Sequence, residues 1–378
     1  MSQYELEVEF ENMGGHLNAY TSREHTVYYA KVFKSDVPRA LNILADMLTS
    51  PKLDEKAIER ERGVILREME EVNQQQEEVI FDLLHETAFQ GSGLGRTILG
   101  PEENIKAISR KDLESYIRTH YTGPRIVVAG AGAIEHQDLV RVAEKAFGAL
   151  PSAPRDGIAV NGGGPASFVG SELRLRDDDL GLAHVAVGFE IGGWTNPHAF
   201  PLMVMQTILG SWDRTMAGGN NMASPLCRKV AESQLAHSVT TFNTTYMDTG
   251  LFGVYTVSEP TKVWDTMSTV MYELVRLSYT PTEDEVDRAK TQLATVLLSG
   301  LDGSTAVCED IGRQMLTYGR RMSPAEILAR VNAVDVASVR AAARAFINDK
   351  DVAVAGLGNI HELPDINWMR RRTAWLRY

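Results

Sequence analysis

Residues 107–132, AISRKDLESYIRTHYTGPRIVVAGAG, return in altered form as AVDVASVRAAARAFINDKDVAVAGLG at 333–358. Each copy runs from an amphipathic helical pattern through a break into an apolar strand, and ends on A-G-x-G. Gly130 pairs with Gly356 and Gly132 with Gly358, at an offset of 226. A second match lies upstream. TVYYAKVFKSDVPRALNILADML (26–48) resembles LFGVYTVSEPTKVWDTMSTVMYEL (251–274), each an alternating strand followed by a long amphipathic helix. LDEKAIERERGVILREM (53–69) then matches PTEDEVDRAKTQLATVL (281–297) at an offset of 228.

The chain therefore carries two copies of one unit. Between them lies LPSAPRDGIAVNGGGPASFVG, rich in Gly, Pro and Ser, which reads as a linker. Alternating strands with helices in runs favour an α+β fold, a mostly antiparallel sheet packed by helices in each copy. The expected boundaries are 1–150 for the first domain, 151–170 for the linker and 171–378 for the second domain. The second copy opens with a strand, LAHVAVGFEIGG, and a helix, AFPLMVMQTILG (199–210). At the offset of 226 their counterparts fall ahead of Met1, so the first copy lacks its opening strand and helix.

With 378 residues, 44% of them hydrophobic, the chain can fill more than one core. A formal charge of −12 argues against general nucleic-acid binding, which needs a basic face. The two cysteines, Cys227 and Cys308, form no close-spaced ligand pair and suggest a reducing compartment or inert thiols. No apolar run reaches transmembrane length. MSQYELEVEFEN is acidic and reads neither as a signal peptide nor as a transit peptide.

One helical seam stands out. In AIERERGVILREMEEV (57–72) and the residues after it, positions 58, 61, 65, 68, 72, 75 and 79 share one face. Ile58, Ile65, Val72 and Val79 make it apolar, yet Glu61, Glu68 and Gln75 interrupt it. The second copy places Val286, Ala289, Leu293 and Val296 on the same seam, with Ala289 where Glu61 stands and Val296 where Glu68 stands. The unit therefore does not need carboxylates there. Burying them unpaired would cost several kcal/mol. Two readings compensate: pairing with Arg60, Arg62 or Arg67 on an exposed seam, or a metal or catalytic constellation.

ENMGGHLNAYTSREHTVYYAKV (11–32), ERERGVILREMEEV, LGRTILGP (94–101) and NWMRRRTAWLRY (367–378) resemble the M16 family of zinc peptidases, the inverzincins. Within it, they are similar to the branch of processing-peptidase β subunits and cytochrome bc1 core proteins. LGSWDRTMAGGNNMASPLCRKV (209–230) resembles the β rather than the α type. The resemblance implies two M16-type domains, the second without metal ligands. In the family two histidines of H-x-x-E-H and a glutamate about 75 residues later hold zinc, and the motif's own glutamate activates a water. By match to the family pattern, Glu68 is the late zinc ligand. Glu61 is a carboxylate orienting a ligand histidine, and Glu78 is an acidic residue of the substrate site. Glu77 and Asp82 nearby would suit arginine-bearing substrates. The strand through Asn18, Ala19, Tyr20 and Thr21 borders the cleft, where an extended peptide can add to its edge.

The resemblance further implies presequence removal from imported precursors, or service as the matrix-facing core subunit of complex III, or both; the alternative is a purely structural core subunit. Implied partners are an α subunit or core protein 2, cytochrome b, cytochrome c1, the Rieske subunit and presequence peptides, with no nucleic acid. The implied place is the matrix side of the mitochondrial inner membrane, peripheral to it.

The histidines, at 16, 25, 85, 120, 136, 184, 198, 237 and 361, nowhere form H-x-x-E-H or H-E-x-x-H. The helix that carries the motif in the family is the counterpart of 199–210, upstream of Met1. Zinc is expected in the intact family member and not in this chain, which as written holds one ligand of three. Either the sequence is incomplete or its active site has been lost. VAGAGAIEH (128–136) has G-x-G without the third glycine, as does its twin VAGLGNIHE, and reads as a strand-end turn rather than a dinucleotide site. The basic and aromatic C-terminus could bind phosphate groups or dock on a neighbouring subunit; the resemblance implies packing within a membrane complex near lipid headgroups.

Overall fold

The computed structural model describes residues 2–153, 165–216 and 218–375. Most of the expected linker and the last three residues of the tail lie outside them. Along the chain run α1 (Gln3–Asn12), β1 (His16–Thr21), β2 (Thr26–Lys31), α2 (Val37–Thr49), α3 (Glu55–Asn73), α4 (Gln76–Ala88), α5 (Glu102–Ala107), α6 (Arg110–His120) and α7 (His136–Phe147). There follow β3 (Glu172–Arg176), β4 (Ala183–Gly192), α8 (Ala199–Leu209), β5 (Ser211–Asp213), α9 (Pro225–Glu232), β6 (Ser238–Thr245), β7 (Thr249–Ser258), α10 (Val263–Arg276) and α11 (Glu283–Ser299). The chain closes with α12 (Ser304–Tyr318), α13 (Pro324–Asn332), α14 (Val336–Phe346), β8 (Ala353–Gly358) and α15 (Ile366–Arg372). The repeat is visible in these bounds. Helices α2 and α6 begin 226 residues before α10 and α14, and α3 and α4 begin 228 before α11 and α12.

The fold is α+β, with antiparallel-dominated sheets packed by helices. Its two compact units are not contiguous in sequence. One gathers the described residues up to 70, those from 98 into the linker, and 300–321. The other gathers 71–97, those from 165 to 299, and those from 322 onward. The expected boundaries at 150 and 171 thus mark the repeat, while α4 belongs to the second unit and its twin α12 to the first.

The second unit is built on a six-stranded sheet in the order β3-β8-β4-β7-β6-β5, in which only β3 and β8 run parallel. Alternation along β4 decides its two faces. Val185, Val187, Phe189 and Ile191 join the core formed with α8, α10, α11 and α14, whereas Ala186 joins a second core with Ile80, Leu84 and Ala88 of α4. Each large side chain fully buried there, such as Phe189 or Leu202, contributes about 1.5–3 kcal/mol.

The first unit has a smaller core. Phe10, Met13, Ala40 and Ile43 bury one face of α2 against α1, with Leu17 and Ala30 of the hairpin packed on them. Residues 16–31 form this hairpin rather than one long strand: His16 pairs with Lys31 and Thr21 with Thr26. Ser22 turns the corner, its amide donating to the His25 carbonyl at 2.7 Å.

The expected strand in RIVVAGAG (125–132) does not form, although its twin is β8. The reason is pairing. β8 lies between β3 and β4. At the same offset, counterparts of β3 and β4 fall ahead of residue 1, so the first copy offers this segment no ladder. The glycine geometry survives without it. Gly132 and Gly358 adopt φ of +112° and +93°. A Cβ on Gly130 would meet Leu139 at 2.8 Å, and one on Gly356 would meet Leu363 at 2.7 Å. In both copies the G-x-G sequence serves a turn and a close approach of backbone to an apolar side chain.

Candidate functional site

Helix α3 starts at Asp54, whose carboxylate accepts from the amides of Lys56 (3.0 Å) and Ala57 (3.1 Å). Glu, Lys, Ala, Arg and Met, all good helix formers, fill most of its 19 residues. None of them is buried. This corrects the expectation of a core-facing seam: Glu61, Glu68 and Gln75 are exposed, and Ile58, Ile65 and Val72 are only partly covered. The second copy shows the cause. There α11 packs on α8, burying Val286, Ala289 and Leu293. Among the described residues no counterpart of α8 covers α3. Val296, the counterpart of Glu68, is exposed like it.

Glu61 and Glu68 are two turns apart, about 10 Å along the helix. Neither takes part in a hydrogen bond or ion pair among the described residues. The arginine compensation therefore does not operate. Arg62 instead reaches the carbonyls of Ile105 and, at 3.1 Å, Ile108, closing the end of α5, and pairs with Glu59. Cations at a helix C-terminus answer the unpaired carbonyls there.

A catalytic zinc needs three protein ligands and an open position. Among the described residues no group of three or more His, Cys, Asp or Glu is placed to hold a metal ion. Glu68 is solvent-exposed and belongs to no such group, and the described residues do not fit a zinc centre. His25, next to Glu24, and His85, next to Glu86, lie elsewhere. His25 sits in the β1–β2 turn. His85 is buried in α4, its Nδ1 donating to the Phe81 carbonyl and its Nε2 bonding the Tyr246 hydroxyl, both at 2.6 Å.

The other expected site residues divide between the units. Glu78 stands with Glu77 in the first turn of α4, in the second unit, where acidic side chains suit the positive end of the helix dipole. Both are exposed. Burial, and secondarily Glu77, raises the Tyr255 phenol above its ordinary range. Asn18, Ala19, Tyr20 and Thr21 lie on β1 in the first unit, all exposed. Among the described residues β1 pairs only with β2, so its other edge is open. The Ala19 amide is accepted by the Asn18 side chain at 2.8 Å, and the Asn18 amide group donates to the Tyr29 hydroxyl at 3.2 Å.

The Tyr20 hydroxyl donates to Glu309 of α12 at 2.9 Å. Burial first, and then the Glu309 carboxylate, raises the Tyr20 phenol. No motif or periodicity pointed to Glu309. It lies 289 residues away, on a helix expected in the other domain.

Comparison with known proteins fits this picture. The sequence model described as "Insulinase (Peptidase family M16)" matches residues 1–102, and "Peptidase M16 inactive domain" matches 107–293. The chain is 52% identical over 373 residues to the probable mitochondrial-processing peptidase subunit beta of Arabidopsis thaliana, covering 99% of this chain and 70% of that protein. It is 52% identical over 375 residues to the mitochondrial-processing peptidase subunit beta of Bos taurus, covering 99% and 76%. For the subunit beta of Lentinula edodes the figures are 50% over 380 residues, covering 100% and 82%. Among solved structures, a chain of complex III2 from Candida albicans with Inz-5 bound superposes with a TM-score of 0.87 at 26% identity, covering 96% of this chain and 86% of that one. The chain belongs to the M16 family of peptidases, and relatives named as processing-peptidase β subunits match it along its whole length.

Proposed function

We propose that this chain is a β subunit of the mitochondrial processing peptidase type that also serves as a core subunit of complex III. The observation that carries this reading is the match of about 50% identity with named β subunits over essentially all 378 residues. The likeness to a chain of complex III2 supports the second role. On this reading its partners are an α subunit or core protein 2, cytochrome b, cytochrome c1 and the Rieske subunit. It lies on the matrix side of the inner membrane, peripheral to it. No helix among the described residues is long and apolar enough to cross a membrane. Presequence peptides are its substrate class. They would add to the open edge of β1 at Asn18–Thr21 in the first unit.

Zinc is the family's metal, and Glu68 is the one ligand position that this sequence retains. Presequence cleavage therefore requires two further ligands from outside residues 1–378. The likeness to a chain of complex III2 also suits a second reading, a core subunit without peptidase chemistry.

Purification from mitochondria separates the two. The first reading expects co-purification with an α subunit and cytochrome b, with presequence cleavage lost in Glu68→Gln. Co-purification with cytochrome b but without cleavage, together with a leader and start codon directly before Met1, would establish the second. Absence of both partners would contradict either.

A further inference from the structure

The core uses one face of α10: Val263, Met267, Val270, Met271 and Leu274 are buried. The opposite face turns out Trp264 and Tyr272, eight residues apart on one side of the helix, 45% and 54% exposed. Large rings have no reason to crowd a solvent face where polar side chains would serve.

The C-terminal segment extends this face. Trp368 of α15 packs against Trp264 with ring centroids 4.9 Å apart. Trp375, itself 37% exposed, stacks nearly parallel on both Tyr279 (4.6 Å) and Tyr272 (5.7 Å). All five rings belong to the second unit. Among the described residues, Trp264, Tyr272 and Trp375 donate to no protein acceptor through their N–H or O–H groups.

Two cations complete the patch. Arg370 is committed to Asp349 and Asp351, at 2.8 and 2.7 Å. Arg371 and Arg372 are exposed and have no ion pair among the described residues. The Arg372 guanidinium lies over Trp368, 5.0 Å from the ring centroid. Two carboxylates adjoin the patch: Asp265 beside Trp264, and Asp365, which caps α15 by accepting from the Trp368 amide at 2.9 Å. In a chain of charge −12, two exposed arginines without ion pairs among the described residues lie beside three indoles.

We propose that this aromatic and basic face of the second unit docks on an anionic lipid surface. Indole and phenol rings with free polar tips suit the boundary between headgroups and acyl chains. Arginine pairs with lipid phosphate, and an anionic leaflet supplies the charge that Arg371 and Arg372 would attract. The biological setting rests on the peripheral placement proposed above. Lipid binding by the purified chain does not, so the two can fail separately.

The test uses the full chain with vesicles of phosphatidylcholine, with and without phosphatidylglycerol, read by co-flotation and by quenching of tryptophan fluorescence with brominated lipid. Binding should require the anionic lipid and weaken as salt rises. Combined Arg371→Glu and Arg372→Glu should weaken it about tenfold or more. Combined Trp264→Ala and Tyr272→Ala should remove most of the bromine quenching with circular dichroism unchanged. Lys106→Glu, an exposed charge change in the other unit, should leave binding within about twofold. Equal binding with and without phosphatidylglycerol, no binding at all, or binding untouched by both combined variants would overturn the proposal. So would a dimer of the chain that the aromatic variant dissociates, since the patch would then join two copies.

Discussion

Glu61 of α3 and Ala289 of α11 hold the same place in the two copies, 228 residues apart, and meet opposite surroundings. Glu61 is exposed, while Ala289 is fully buried in the core that α8 helps to form. One helical pattern is thus used twice, once with a covering helix and once without. The difference in cover explains why Glu61 is tolerated where the second copy holds Ala289, while Glu68 and Val296 are both exposed and face no such demand.

Exchange of these residues should have unequal effects. Ala289→Glu would place an unpaired carboxylate in a packed core and should destabilise the second unit by about 3–5 kcal/mol. Glu61→Ala should change stability by less than about 0.5 kcal/mol. Urea unfolding of the two variants measures both. Similar losses would mean that Glu61 is buried after all.

The second unit contains a buried ion-pair group that the sequence did not announce. Arg276 bonds Glu273 (2.7 Å) and Glu285 (2.6 Å), joining α10 to α11, and Glu285 also accepts from the Thr282 amide at 2.9 Å. Burial raises the Glu285 carboxyl, but Arg276 and Thr282 together outweigh it and hold the group below its ordinary value. A lowered folded-state pKa means stability that is present above the unfolded value and lost as pH falls through the folded one. Stability should therefore fall as pH drops below about 4.3. Glu285→Gln should lose part of that dependence while lowering stability at pH 7. An unchanged pH profile in the variant would contradict the assignment.

Much of the fold was legible because the repeat is a statement about backbone periodicity. Helices α2, α3 and α6 recur at their expected offsets, and β4 and α8 lie where the alternating and apolar runs placed them. Three features were not legible. The segment 126–131 has strand composition but no ladder, and strand formation depends on a partner. Helices α4 and α12 have ordinary amphipathic patterns, which do not say in which unit their apolar faces are buried. The Tyr20–Glu309 bond joins residues 289 positions apart, beyond any local pattern. The candidate site was legible only through resemblance, because Glu68 by itself is an ordinary exposed glutamate.

The G-x-G turns should be sensitive to a single methyl group. At Gly358 a Cβ would meet the Leu182 carbonyl oxygen at 2.5 Å and would sit on a backbone with φ of +93°. Gly358→Ala should cost about 1–3 kcal/mol. Gly132→Ala, with the same handedness but its nearest neighbour, Ser304, at 3.7 Å, should cost less. Equal losses in thermal unfolding would show that backbone strain alone decides the effect.

The open edge of β1 makes a further prediction. Because the Ala19 amide bonds its own neighbour's side chain and not β2, Ala19→Pro removes an edge donor without removing a ladder bond. Binding of an extended presequence peptide, followed by fluorescence anisotropy, should weaken about tenfold, the worth of one well-placed hydrogen bond. Undiminished binding would move the peptide site away from β1.

Metal analysis of the purified chain 1–378, equilibrated with zinc and freed of excess, bears on the whole account. Glu68 stands alone on an exposed helix face, so the zinc retained should be far below one per chain and the same in Glu68→Gln. One zinc per chain, released by Glu68→Gln, would show that residues 1–378 assemble the centre themselves and would contradict the reading of this site as incomplete.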